Sequence, residues 1–384
     1  MPGPDDALRQ LDAEGLRRRL RTLDAVDGPR VVRDGVALWN FAANDYLGLA
    51  HHPAVRDAFR DGLERFGHGA AASRLITGSH PPHAALESAL AEAKGTGAAL
   101  TFSSGFAAAT GIIPALVGRD DFVVLDKLAH ACLIDGAKLS GATLRVFPHN
   151  DTAKLARLLE KIRVGHPRAR ILVLTESVFS MDGDLCPLRE IIELKDAHDA
   201  LLLLDEAHGF GVLGPTGMGL AEALGLQSRV EFHMGTLGKA AGLAGAYLAC
   251  AADWRELLVN RARSFVFSTA PPPALAHAAA AALALIRSPD GDHLRDALRA
   301  NIERLRPGHQ SPILPRVLGD NRAALDAADF LERRGFLVPA IRYPTVPRGT
   351  ARLRVSLSAA HPPQALDDLA AALADLPSLT KSEV

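Results

Sequence analysis

The 384-residue sequence is 48% hydrophobic and 23% charged, with 43 basic and 44 acidic side chains and a formal net charge of -1. That composition supports packed cores in more than one domain and gives no overall field to draw the chain to nucleic acid or to an anionic membrane. Cys132, Cys186 and Cys250 contain no C-x-x-C pair, no apolar signal core follows the N-terminus and no stretch reaches the length of a membrane span. A disulfide framework, a cysteine-held zinc and a membrane location are therefore not expected; small-molecule partners and a reducing cytoplasm are.

Leu8, Leu11, Leu16 and Leu20 recur at near-helical spacing with Arg17, Arg18 and Arg19 between them. This predicts an amphipathic helix over residues 7–23, within an N-terminal arm of residues 1–40. From residue 41 onward, short apolar runs at 122–125, 171–175, 201–204 and 245–251 alternate with helix-like stretches such as 107–116. Such runs read as strands buried on both faces, so the expected fold is α/β: a mostly parallel sheet flanked by helices, forming a large domain over 41–274. Pro271-Pro272-Pro273 closes that region, and a smaller α+β domain is expected over 275–384, with strands at 336–341 and 352–357. In a sheet of this kind ligands bind beyond the carboxyl ends of the strands.

Two motifs are set aside. Gly209-Phe210-Gly211-Val212-Leu213-Gly214 spells G-x-G-x-x-G, but Pro215-Thr216-Gly217 continues a loop where a nucleotide-binding helix should open. Asp205-Glu206-Ala207-His208 spells a helicase box, yet Gly238-Lys239 is followed by Ala240 and the chain has no phosphate loop of the ATPase type.

The chemistry-bearing residues follow the apolar runs. Asp205 comes directly after Leu201-Leu202-Leu203-Leu204, at the end of a buried strand where a carboxylate needs a cationic partner. Lys239 lies in Gly235-Thr236-Leu237-Gly238-Lys239-Ala240, among small residues that let a cofactor approach. An amine able to form a Schiff base, with a buried acid to hold a ring nitrogen protonated, points to pyridoxal 5'-phosphate. Gly105 and Phe106 precede the helix-like 107–116 and could offer backbone N–H groups to a phosphate, with the Thr236 hydroxyl nearby in sequence to Lys239. Ser268 and Thr269 could do likewise or simply cap a turn. His130 and His208 are either core histidines or active-site rings, and Ser177 follows another buried strand and could reach the same ring. Arg352 and Arg354 share one face of their strand, and either could bind a carboxylate or serve a structural ion pair.

Several ordered blocks carry a resemblance to a known family: Asn44-Asp45-Tyr46-Leu47-Gly48-Leu49, Ser73-Arg74-Leu75-Ile76-Thr77-Gly78, Ser103-Ser104-Gly105-Phe106, residues 176–184, 205–214 and 236–240, Pro344-Thr345-Val346-Pro347, and Arg352-Leu353-Arg354-Val355. On these the chain resembles the α-oxoamine synthases, fold-type-I pyridoxal phosphate transferases, over nearly its whole length. The resemblance implies that Lys239 is the Schiff-base lysine, Asp205 the partner of the pyridine nitrogen and His130 the residue stacked on the ring. It further implies that Ser177 and His208 bond the phenolic oxygen, and that Gly105, Phe106 and Thr236 hold the phosphate. Arg354 would take the amino acid carboxylate, Asn44 would line the site, and Arg17 and Thr345 would contact the acyl substrate.

Within that family the blocks at 73–78 and 344–347 look most like the biotin-pathway member, which joins L-alanine to pimeloyl-CoA or pimeloyl-carrier protein as a homodimer with interface active sites. Glycine- and serine-using members are the alternatives. No metal is expected. The chain departs from the family pattern at Ala70-Ala71-Ala72 in place of a more glycine-rich loop, at Ala109 where asparagine is common, and at Tyr343 before Pro344.

Overall fold

The leucine spacing near the N-terminus does form a helix, but a shorter one than the periodicity predicts. In the computed structural model, which describes residues 3–376, it spans Pro4–Ala13 and buries none of its residues. Gly15 then takes a left-handed conformation (φ 62°), and the N–H groups of Leu16 and Arg17 both return to the Leu11 carbonyl. That reversal turns Leu16 inward and leaves Arg17, Arg18, Arg19 and Leu20 outside the helix. The rest of the expected arm is not an arm: β1 (Ala25–Asp27), β2 (Arg30–Arg33) and β3 (Val36–Asn40) form an antiparallel meander.

The apolar runs of the middle region become one seven-stranded sheet. Its strands are β4 (Ala98–Phe102), β5 (Phe122–Asp126), β6 (Thr143–Phe147), β7 (Ile171–Glu176), β8 (Leu201–Asp205), β9 (Phe232–Thr236) and β10 (Ala246–Cys250), in the order β4-β10-β9-β8-β7-β5-β6. The central pairings are parallel, whereas β10 runs antiparallel to both β4 and β9. Alternate residues serve opposite faces, as the strand period requires. Val123, Leu125, Leu172, Leu174 and Leu203 pack with Ile112, Ile113, Leu116 and Leu133 on one side. Val124, Val173, Leu202 and Leu204 pack with Leu155, Leu159, Ile191 and Ile192 on the other. Each such side chain fully removed from water contributes about 1.5–3 kcal/mol, which is why the runs read as unbroken apolar stretches.

The C-terminal region carries β11 (Ile313–Gly319), β12 (Phe336–Leu337), β13 (Ala340–Ile341) and β14 (Ala351–Ser356). The single strand expected over 336–341 is two short ones in different sheets: β12 pairs in parallel with β3, and β13 joins β11 and β14 in an antiparallel sheet. Pro339 interrupts the segment because it has no N–H for a ladder, although its carbonyl accepts from the Arg354 N–H at 3.2 Å.

Two compact units result, one from the described residues of Met1–Gly48, Met181–Gly183 and Asp296–Val384, the other from Leu49–Ser180 and Asp184–Arg295. The boundaries differ from those read at residues 40 and 274. β3 pairs with β12, so the N-terminal segment folds with the C-terminal one. The helix Pro273–Ile286 packs on Pro53–Phe66 and Pro81–Lys94 in the larger unit, so closely that a Cβ at Gly62 would lie 2.9 Å from the Ala274 Cα.

Candidate active site

The carboxyl ends of β7, β8 and β9, with the segments that follow β4 and β5, enclose a cavity of about 190 Å³ in the larger unit. Gly105, Phe106, His130, Asp205, His208, Thr236 and Lys239 line it, seven of the eight residues expected at a cofactor. The eighth, Ser177, is fully buried directly after β7.

Lys239 is held by the turn that leaves β9. The Thr236 hydroxyl donates to the Gly245 carbonyl (2.9 Å) and accepts from the Gly238 N–H (3.1 Å), while Gly242, at φ 69°, sits so close to Leu49 and Ala50 that no side chain fits. Lys239 Nζ comes within 2.5 Å of His208 Nε2. His208 is buried on the loop after β8, where Glu206 accepts the N–H groups of Leu220 and Ala221 and a Cβ at Gly209 would lie 2.5 Å from Glu206 and 2.8 Å from Ser177 Oγ. The glycines of the G-x-G-x-x-G stretch thus allow close packing in a turn, with Gly211 and Gly214 at positive φ.

Asp205 is 5% exposed and accepts the Ala207 N–H at 2.9 Å. Burial pushes its carboxyl above the usual range, opposed by the Lys239 ammonium. His130 caps the helix Ala131–Ser140: its Nδ1 accepts the Cys132 N–H (3.3 Å) and lies 3.0 Å from Cys132 Sγ. This leaves Nε2 to carry the proton of the neutral ring, which opens toward the cavity. Surrounding protein holds the imidazole pKa below its ordinary value despite the Asp205 charge.

Pyridoxal phosphate fits this set of groups. The amine and buried acid suit its carbonyl and ring nitrogen, and the helix Gly105–Leu116 presents its N-terminus, capped by Ser104 Oγ on Ala107 N–H, where a phosphate is favoured. Ser177 Oγ is buried with no protein hydrogen-bond partner, which is the state of a hydroxyl awaiting a ligand oxygen. Ser268 and Thr269 do not line this cavity; Thr269 pairs with Ser73 in an isolated bridge.

The four residues expected at substrate lie in the smaller unit. Arg354, 4% exposed, donates to Asn44 Oδ1 (3.0 Å), Ser356 Oγ (2.6 Å) and Tyr46 OH (3.5 Å), so the structure brings Arg354 and Asn44 together. Arg17 instead bonds the Asp12 carboxylate at 2.5 Å, and Thr345 is exposed with its N–H on the Arg342 carbonyl. Arg352, on the same strand, is neutralised by Asp182. Cys132, Glu176, Ala207, Met234 and Gly235 also line the cavity and escaped the sequence reading; of these, Glu176 and Cys132 are titratable. Glu176 was discoverable, since it ends the run Ile171–Glu176 just as Asp205 ends Leu201–Asp205. Among the described residues no cluster of side chains could hold a metal, and no helix is long and apolar enough to cross a membrane.

A mostly parallel sheet with an amine, a buried acid and a helix N-terminus at its carboxyl edge defines a fold-type-I pyridoxal phosphate enzyme. Comparison with known proteins narrows this. Aminotransferase class I and II proteins match residues 37–373. The 8-amino-7-oxononanoate synthase of Anaeromyxobacter sp. (strain K) is 51% identical, covering 98% of this chain and 96% of that one. A serine palmitoyltransferase variant from S. paucimobilis, solved with a bound PLP–myriocin aldimine, superposes with a TM-score of 0.90 at 29% identity over 96% of this chain and 95% of that one. The 8-amino-7-oxononanoate synthase from Francisella tularensis superposes with a TM-score of 0.73 at 28% identity over 88% and 98%. The chain belongs to the aminotransferase class I and II family and, within it, to the 8-amino-7-oxononanoate synthases, which are pyridoxal-phosphate-dependent acyltransferases.

Proposed function

We propose that this chain condenses L-alanine with pimeloyl-CoA, or with the pimeloyl thioester of a carrier protein, releasing carbon dioxide and the free thiol to give 8-amino-7-oxononanoate for biotin synthesis. The observation that carries this reading is the convergence of Lys239, His208 and Asp205 on one cavity, in a chain half identical to named synthases over nearly its full length. When bound, pyridoxal phosphate supplies an electrophilic carbonyl and a cationic ring that absorbs the electron pair left by a broken bond to the amino acid α-carbon.

The residues of the chain do the rest. Asp205 holds the ring-nitrogen proton, and that cation in turn offsets the burial of its carboxylate. Gly105, Phe106 and Thr236 hold the phosphate, while His208 and Ser177 bond the phenolic oxygen. The His130 ring is the stacking surface, and its Nε2 returns a proton after carbon dioxide leaves. Lys239 Nζ would hold the cofactor through its carbonyl carbon and would be the base for the α-proton of alanine. Arg354, oriented by Asn44 and Ser356, is the guanidinium for the alanine carboxylate, and Arg17 and Thr345 are assigned to the acyl chain.

The same reading includes a homodimer working in the cytoplasm. Ile76, Phe106 and Phe267 are 76%, 49% and 71% exposed, and the Ser73–Thr269 bridge ties two of their segments together, as an apolar association surface requires. The three cysteines are free and buried. Closer superposition on the serine-using enzyme than on the synthase from Francisella tularensis makes the amino acid the decisive variable. Borohydride reduction followed by peptide mass spectrometry should place a pyridoxyl group on Lys239, and turnover should require L-alanine. A label elsewhere, or turnover with serine or glycine in place of alanine, overturns the assignment.

A further inference from the structure

Two neighbouring strands of the large sheet end in acids. The parallel register of β7 and β8 sets Glu176 beside Asp205, with 2% and 5% exposure respectively. Residues paired across adjacent strands project to the same face, so these two carboxyls occupy one desolvated place at the cofactor cavity. Two carboxylates so placed cannot both ionise unless cations compensate both. The Lys239 ammonium and the Ala207 N–H stabilise Asp205 as the anion, so Asp205 is the member of the pair that keeps its charge. Glu176 receives the backbone N–H groups of His130 and Ser180, but its Oε1 is buried without a hydrogen-bond partner. An unpartnered carboxylate oxygen is expensive there, and protonation of Glu176 removes the charge that burial penalises.

We propose that Glu176 is held as the neutral acid, so that the Glu176–Asp205 pair carries a single negative charge, and that it acts as a positioning residue for Asp205. The proposal rests on the assignment of Asp205 to the ring nitrogen. Its consequence is electrostatic: a second anion beside Asp205 would oppose every negative charge that develops in the cavity during turnover. Burial and the Asp205 charge push the Glu176 carboxyl up to about 8, against the pull of Lys239 and the two N–H groups. The other ionisable groups around β7 have partners of their own or lack charge. Asp126 on β5 is bonded by His149, Leu128 and Asn150; Glu206 after β8 is bonded by Leu220 and Ala221; Cys132, after β5, is held protonated by burial; and His208 contacts Lys239.

The test uses the holoenzyme and Glu176→Gln, which keeps the shape of the neutral acid and cannot ionise. The absorbance of the bound cofactor and kcat are followed from pH 6 to 10. The wild type should show a spectral transition and a loss of kcat centred about one unit above neutral, and E176Q should retain the cofactor while losing both. Persistence of the transition in E176Q, or a tenfold or greater loss of cofactor affinity in E176Q at pH 7, overturns the proposal, the second because it means the anion is needed. Should E176Q fail to fold, infrared spectra of the wild type decide: a protonated-carboxyl band at pH 7 that titrates away by pH 10 is required, and its absence is fatal. Failure of the underlying assignment is distinct, since it appears as a wild-type protein with no pyridoxyl label on Lys239.

Discussion

Two histidines stand at the carboxyl edge of the same sheet with opposite fates. His149, after β6, is clamped between Asp126 at the end of β5 (3.1 Å) and Asp184 after β7 (2.7 Å), with Phe179 edge-on at 4.3 Å. Burial works against its charge, but hydrogen bonds and charge from both aspartates raise its pKa to about 10. His130 has one nitrogen on a helix cap and the other left for the cavity, and its pKa is lowered. Similar scaffolding therefore yields an imidazolium at neutral pH that fastens loops and a neutral ring that faces the cavity. What separates them is whether both nitrogens are already engaged by acids.

The cavity side of this comparison gives the largest expected effect. Lys239→Ala should lower turnover by about 10⁴-fold or more and abolish the absorbance of the bound cofactor. Wild-type turnover in that variant would show that the cavity is not the reaction centre. The clamp side should affect stability instead. A raised histidine pKa contributes stability fully below its unfolded value of roughly 6.5 and loses it as pH rises through the folded value. His149→Gln should accordingly cost roughly 2 kcal/mol at pH 7, allowing for solvent at the partly exposed Asp184, and the deficit relative to wild type should shrink as pH passes about 10. Urea denaturation at the two pH values measures this, and a deficit that grows with pH would contradict the imidazolium.

Much of the cavity was legible in the sequence because the physics is local. An acid after four leucines must end a buried strand, and small residues around Lys239 leave room for a cofactor. The same logic extends to Glu176, which the sequence reading missed although Ile171–Glu176 repeats the pattern; its place beside Asp205 is visible only once the register is known. The His149 clamp was not legible, because its three members are separated by more than twenty residues at each step and no periodicity links them. Strand alternation placed Arg352 and Arg354 on one face, but only the structure shows that Asp182 neutralises Arg352 while Arg354 faces Asn44 and Ser356. At the N-terminus, helical spacing overran Gly15, whose positive φ ends the helix in a way that hydrophobic periodicity does not register.

The smallest effect concerns the loop at 68–72, where the chain carries alanines in place of glycines. Ala71 adopts φ 57°, a conformation that costs an L-residue about 1 kcal/mol or more, and Ala70 does not. Ala71→Gly relieves that strain but frees the unfolded chain, which offsets roughly 0.5–1 kcal/mol. A small net gain of up to about 0.5 kcal/mol remains. Ala70→Gly relieves nothing and also uncovers a buried methyl (7% exposed), so it should destabilise by about 1 kcal/mol. Opposite signs in parallel thermal melts of the two holoenzyme variants would locate the strain at a single backbone angle; equal losses would mean that the loop has no strain to relieve, and that alanine in place of glycine stabilises it at both positions.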